Sequence, residues 1–140
     1  MECRLGRLTD VSGTLYGTTR FGGTYCSGSA GCGTVFSITL SGTEKVLHSF
    51  GKGSDGTNPI AGLSDVGGTL YGTTFQGGGY NDGTVFSITT GGTEKVLHSF
   101  GKGTDRNTPE APVLYQGGNL VGTTYYGGAY GYGTVFSLTR

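Results

Sequence analysis

Cysteines, histidines, carboxylates and tyrosines are the residues of this chain whose types and spacing bear on chemistry. Cys26 and Cys32 frame a C-x5-C segment rich in glycine and serine. A disulfide there would staple a loop with little order of its own, as exported proteins do. The rival is a metal pair, but His48 and His98 belong to other segments and the loop adds no third ligand, so the disulfide is expected and no metal or cofactor is. Cys3 is left over. The histidines sit in two identical strings, TEKVLHSFGKG, beginning at Thr43 and Thr93. A general base is needed once, so a histidine repeated with its surroundings reads as a hydrogen-bonded packing residue. Glu44 and Glu94, beside Lys45 and Lys95, read as charges guarding an outer strand rather than as a glycosidase carboxylate pair. There is no G-x-S-x-G elbow for acyl transfer and no lysine-bearing glycine cradle for phosphate. Asp55 and Asn58 offer oxygens, but one carboxylate per loop falls short of a calcium cage, and Asp-Gly and Asn-Pro are turn chemistry. Tyr80, Tyr125, Tyr126, Tyr130 and Tyr132 are the remaining candidates. They gather in or beside glycine-rich loops, where aromatic faces either cover their own sheet or stack on sugars or another protein.

The elements that must position these side chains follow from a repeat. GTVFS begins at Gly33, Gly83 and Gly133, and the long histidine-bearing string recurs at the same spacing of 50. GTLYGTT starts at Gly13 and Gly68 and returns as GNLVGTT at Gly118, so the first unit carries five extra residues, which hold Cys26 and Cys32. Such a period marks an array of supersecondary units, none able to bury its hydrophobic face alone. Within residues 59–100, IAGLSDV, TLYGTTF, TVFSITT and EKVLHSF are separated by Gly67-Gly68, a glycine-rich turn and Gly91-Gly92, which predicts four short strands joined as an antiparallel meander. Glycine recurs too often for a stable helix.

The fold expected is all-β, with propeller-type blades of four-stranded antiparallel meanders arranged as an incomplete ring. One repeat array fills 1–140: blade 1 over 1–52, blade 2 over 53–102, and blade 3 over 103–140 without its fourth strand. Val85, Ser87 and Thr89 are expected on one face of the third strand, with Phe86 and Ile88 on the other. In the fourth strand Val96, His98 and Phe100 should oppose Leu97 and Ser99. Apolar groups on both faces suit a sheet packed between two others. Small residues at Gly72, Thr73 and Thr74 should let adjacent sheets approach near a crowded axis.

The pattern LYGTT, GG, GTVF and a strand ending in SF resembles the GloVer (Gloeo/Verruco) tandem repeat family of bacterial exported or surface proteins, and more generally kelch-type propeller repeats. It stands at Leu15 to Thr19, Gly22-Gly23, Gly33 to Phe36 and Ser49-Phe50, and again at Leu70 to Thr74, Gly77-Gly78, Gly83 to Phe86 and Ser99-Phe100. The resemblance covers essentially the whole chain and implies an extracellular or cell-surface location, with no catalytic residues to carry over. Met1 to Asp10 lacks the apolar run of an export signal, and under three blades fall short of the roughly four that close a ring. The chain therefore reads as a piece of a longer propeller, or as one that self-associates to complete the ring.

Charge adds little. Nine basic and nine acidic residues cancel, which excludes an electrostatic footprint for nucleic acid, and apolar stretches of a few residues insert in no membrane. The expected function is a non-enzymatic extracellular module, a scaffold or a binder of carbohydrate or protein partners through its loops. The alternative is a fragment of a propeller enzyme acting on glycans with its active-site residues outside this chain.

Overall fold

A computed structural model describes residues 6–28, 30–105 and 108–140; Cys3 lies outside them. Its regular elements are eleven strands: β1 Thr9–Val11, β2 Thr14–Thr19, β3 Thr34–Thr39, β4 Glu44–Ser49, β5 Ser64–Val66, β6 Thr69–Thr74, β7 Thr84–Thr89, β8 Glu94–Ser99, β9 Leu114–Gln116, β10 Asn119–Thr124 and β11 Thr134–Thr139. They form three antiparallel sheets, ordered β1-β2-β3-β4, β5-β6-β7-β8 and β9-β10-β11. Each sheet is a meander in which sequence neighbours pair, as the short turns demand.

The tight turns enforce the register. Gly67 and Gly68 both have positive φ, 59° and 88°, the left-handed pair that a two-residue hairpin requires, and Asp65 Oδ1 accepts a hydrogen bond from Gly68 N–H at 2.9 Å. The β7–β8 connection through Gly91-Gly92 is longer than a two-residue hairpin turn. Thr89 N–H donates to Thr93 O and Gly92 N–H to Thr89 O, which makes it a four-residue loop.

The units pack through two apolar seams. Val35, Phe50 and Tyr16 of the first unit meet Leu63, Leu70, Phe86 and Ile88 of the second. Val85, Phe100 and Tyr71 of the second meet Val113 and Leu120 of the third, with Phe136 and Leu138 against them. The middle sheet is thus apolar on both faces, as its strand pattern predicts. Phe50 lies edge-on to Phe86 with centroids 5.1 Å apart, and Phe100 repeats this against Phe136 at 5.1 Å. Hydroxyls stitch the same seams: Thr9 Oγ1 donates to Leu63 O at 2.5 Å, Thr18 Oγ1 to Ala61 O at 2.9 Å and Thr73 Oγ1 to Ala111 O at 3.4 Å, while Ser64 Oγ bonds Val113 O. The first strands of successive units lie near each other, β1 against β5 and β5 against β9.

Three expectations are corrected. The seven-residue IAGLSDV strand is reduced to Ser64–Val66, because the carbonyls of Ala61 and Leu63 turn to the preceding unit instead of entering a ladder. Val96 and His98 do not share a face. Val85 pairs with His98 and Phe86 with Val96, so Leu97 is the extra residue of a β-bulge, and Leu47 repeats it in β4. Gly72 serves its own sheet rather than an adjacent one: a Cβ there would meet Phe86 Cζ at 2.5 Å and Leu63 Cδ2 at 2.8 Å. The ring of Phe86 lies across the strand on the space that glycine leaves, and the same holds for Gly17 with Phe36 and Gly122 with Phe136.

Candidate functional site

Each second strand ends in a threonine followed by one or two large side chains before a glycine: Arg20-Phe21, Phe75-Gln76 and Tyr125-Tyr126. Linker backbone holds these positions. Phe75 N–H donates to Asn58 O at 3.0 Å, Tyr125 N–H to Thr108 O at 2.9 Å, and Asn58 Nδ2 reaches across the seam to Arg20 O at 3.0 Å. Asn58 takes a left-handed φ of 57° to do so, a conformation asparagine tolerates better than most residues. The three strand ends converge with the residues that follow Pro59 and Pro109. They enclose a cavity of about 370 Å³ lined by Arg20, Ile60, Phe75, Glu110, Tyr125 and Tyr126.

The guanidinium of Arg20 stacks between aromatic rings, 5.1 Å from the centroid of Phe21 and 5.9 Å from that of Phe75. Its Nε is buried without a hydrogen-bond partner. Tyr125 and Tyr126 meet edge to face at 4.6 Å yet leave more than half of each residue exposed, 59% and 57%. The pocket therefore combines a fixed donor, a carboxylate and several aromatic faces.

The other tyrosines named from the sequence are placed elsewhere. Tyr80 stands 53% exposed on the loop between β6 and β7, its Cβ against the backbone of Gly101. Tyr130 and Tyr132 project from the β10–β11 loop at 88% and 93% exposed, with the backbone of Tyr132 bridged to Gly127. All five are exposed, and Tyr125 and Tyr126 share the cavity just described. Arg20, Phe75 and Glu110 were not among the sequence candidates. Their signal was present: Glu110 stands where the second unit has Ile60, and the aligned pairs after the second strand differ in all three units.

Cys26 and Cys32 are joined, with Cα atoms 5.8 Å apart. The disulfide packs on Gly51, where an added Cβ would meet Cys26 Sγ at 2.5 Å, and it takes the place that Tyr80 and Asp82 hold over Gly101 in the next unit.

His48 Nε2 lies 2.9 Å from Asp55 Oδ2, and Gly51 N–H donates to Asp55 Oδ1 at 3.0 Å. His98 and Asp105 repeat this at 3.0 Å, with Gly101 N–H to Oδ1 at 2.9 Å. Each imidazole also stands edge-on to the seam phenylalanine of its own unit, at 4.7 and 4.8 Å. The pairs tie the loop after the fourth strand to the sheet. Among the described residues no three His, Cys, Asp or Glu side chains gather as a metal cage. Glu44 and Glu94, equivalent in sequence, part company in space. Glu44 is exposed, whereas Glu94 borders a second cavity of about 670 Å³ with His48, Lys52, Asp55 and Tyr25. Burial, then the charge of Asp55, raises its pKa from 4.5 to about 7.

The model of the Gloeobacter/Verrucomicrobia repeat matches residues 5–140. The chain belongs to this repeat family. No curated protein and no solved structure matches it. The motif of this Gloeobacter/Verrucomicrobia repeat maps onto the packing just described: in LYGTT the glycine seats the phenylalanine of GTVF, and the closing SF delivers the seam ring.

Proposed function

We propose that this chain is a non-enzymatic, exported binding module whose sheets are propeller-type blades and whose loops and strand ends recognise an extracellular polymer or protein. The observation that carries the reading is the exposure of large aromatics at Tyr80, Tyr125, Tyr126, Tyr130 and Tyr132, on loops fixed by a rigid repeat. A radial architecture is supported by the approach of β1 to β5 and of β5 to β9 and by two seams built from equivalent residues. Val135 is 75% exposed where its equivalents Val35 and Val85 are at 0%, so the third sheet presents the face on which a further unit packs, from a longer chain or another copy. The disulfide suits an oxidising, extracellular location.

The repeated His–Asp pairs serve the loops rather than catalysis. The glycan-cleaving alternative would draw its active-site residues from outside this chain. The test compares the protein with a variant carrying serine at all five tyrosines for retention on immobilised polysaccharides and for release of reducing ends. Retention lost in the variant, with no hydrolysis by either protein, is expected. Reducing ends released by the parent chain would overturn the non-enzymatic reading.

A further inference from the structure

The cavity at the ends of β2, β6 and β10 breaks the symmetry of the repeat. Structural needs recur in every unit, so a position that packs the fold keeps its residue type. At the strand ends the three units present Arg20, Phe75 and Tyr125, and Glu110 replaces the isoleucine of the preceding unit. These differing residues line one cavity. At about 370 Å³ it falls within the size range of small-ligand sites.

From this geometry we infer that the pocket formed by Arg20, Phe75, Glu110, Tyr125 and Tyr126 binds a ring of a neutral saccharide, an assignment that rests on the binding-module reading above. A guanidinium donates only and a carboxylate accepts only, so a ligand that satisfies both must carry donors and acceptors close together. Adjacent sugar hydroxyls do this, each accepting from Arg20 and donating to Glu110. The C–H face of a pyranose is apolar and matches the faces of Tyr125, Tyr126 and Phe75. Arg20 is already held over the rings of Phe21 and Phe75, so little side-chain freedom is lost when its guanidinium bonds a ligand. Arg20 and Glu110 leave the cavity without net charge, which gives acidic sugars no advantage over neutral ones. Nucleobases would also stack, but they bring phosphates to a chain whose nine basic and nine acidic residues cancel.

The test is affinity electrophoresis of the 140-residue chain through gels containing neutral polymers (dextran, β-glucan, xylan, galactomannan) or acidic ones (alginate, polygalacturonate). Retardation by at least one neutral polymer is expected. Tyr126→Ala should weaken it about tenfold or more, and Glu110→Gln should weaken it while Tyr130→Ala does not. Both informative side chains are accessible to solvent, and unchanged thermal melts certify the fold. Retardation by acidic polymers alone overturns the assignment. So does retardation by neutral polymers that survives Tyr126→Ala and Glu110→Gln but is lost with Tyr80, Tyr130 and Tyr132 changed together; that result leaves the loop-binding reading standing. Retardation by no polymer overturns the saccharide assignment, and a parallel screen of peptide ligands then decides the fate of the broader reading.

Discussion

Replacing Glu94 with glutamine should stabilise this protein at pH 8 and leave it nearly unchanged at pH 4. Glu94 opens β8 and borders the cavity beside the first sheet, with one carboxylate oxygen buried and unpartnered. Burial disfavours its charged form and the neighbouring Asp55 adds repulsion, while Lys52 and His48 line the same cavity. The folded pKa of about 7 lies above the ordinary 4.5, so the folded chain binds the proton more tightly than the unfolded chain does. The associated stability is fully present below pH 4.5, declines as pH rises through about 7, and is gone above it. At full value a shift of that size corresponds to roughly 3 kcal/mol. The cavity opens to solvent, and screening brings the expected effect to about 1–2 kcal/mol. Glutamine is nearly isosteric and has no proton to lose, so the difference Glu94→Gln minus parent should grow from near zero to that value. For a chain of this length it corresponds to a rise in melting temperature of about 3–8 °C at pH 8. Circular-dichroism melts at several pH values measure it, and taking the difference cancels the groups that do not interact with Glu94. Glu44→Gln, at the exposed equivalent position, is the control and should show no pH-dependent difference. An equal effect of Glu94→Gln at both pH values, or a loss of stability at pH 8, would refute the placement of this carboxyl.

Three further outcomes test the packing. Reducing the Cys26–Cys32 disulfide, or changing both cysteines to serine, should cost about 2 kcal/mol through loop entropy, read as a lower denaturation midpoint that the reductant no longer affects in the serine variant. Gly72→Ala should destabilise by about 1–3 kcal/mol because its methyl meets Phe86, whereas Gly13→Ala, with nothing nearby, should act only through its φ of 85°; chemical denaturation compares the two. Phe100→Ala removes the ring that joins the second and third sheets and should cost about 3–5 kcal/mol, with amide exchange accelerated first in β9, β10 and β11.

Strand identity, the meander order and the two-sided burial of the middle sheet were legible because they depend on local periodicity and on a repeat that states each feature more than once. Val85 against Phe86 and Ile88 is a plain alternation, and the sheets obey it. The bulge at Leu97 was not legible: EKVLHS alternates well enough to pass for a regular strand, and only pairing with β7 shows that Val85 and Phe86 oppose His98 and Val96. The candidate site was legible in half. Tyr125 and Tyr126 were visible as aromatics on a glycine-rich segment, but Arg20 and Glu110, 90 residues apart, belong with them only when three sheets are stacked.

The amino-acid sequence by itself determined the family, the all-β class, the repeat length and the partners of the disulfide, since these follow from residue type, spacing and identity between copies. Tertiary structure decided what equivalent residues do. Glu44 and Glu94 lie in identical strings, yet one faces solvent and the other a cavity beside Asp55, because only the second has a preceding unit packed against it. Val35 and Val135 diverge for the converse reason, the first covered by a following sheet and the second open. A repeat specifies each unit's internal contacts, but burial and charge belong to the neighbours, and those are set by position in the stack.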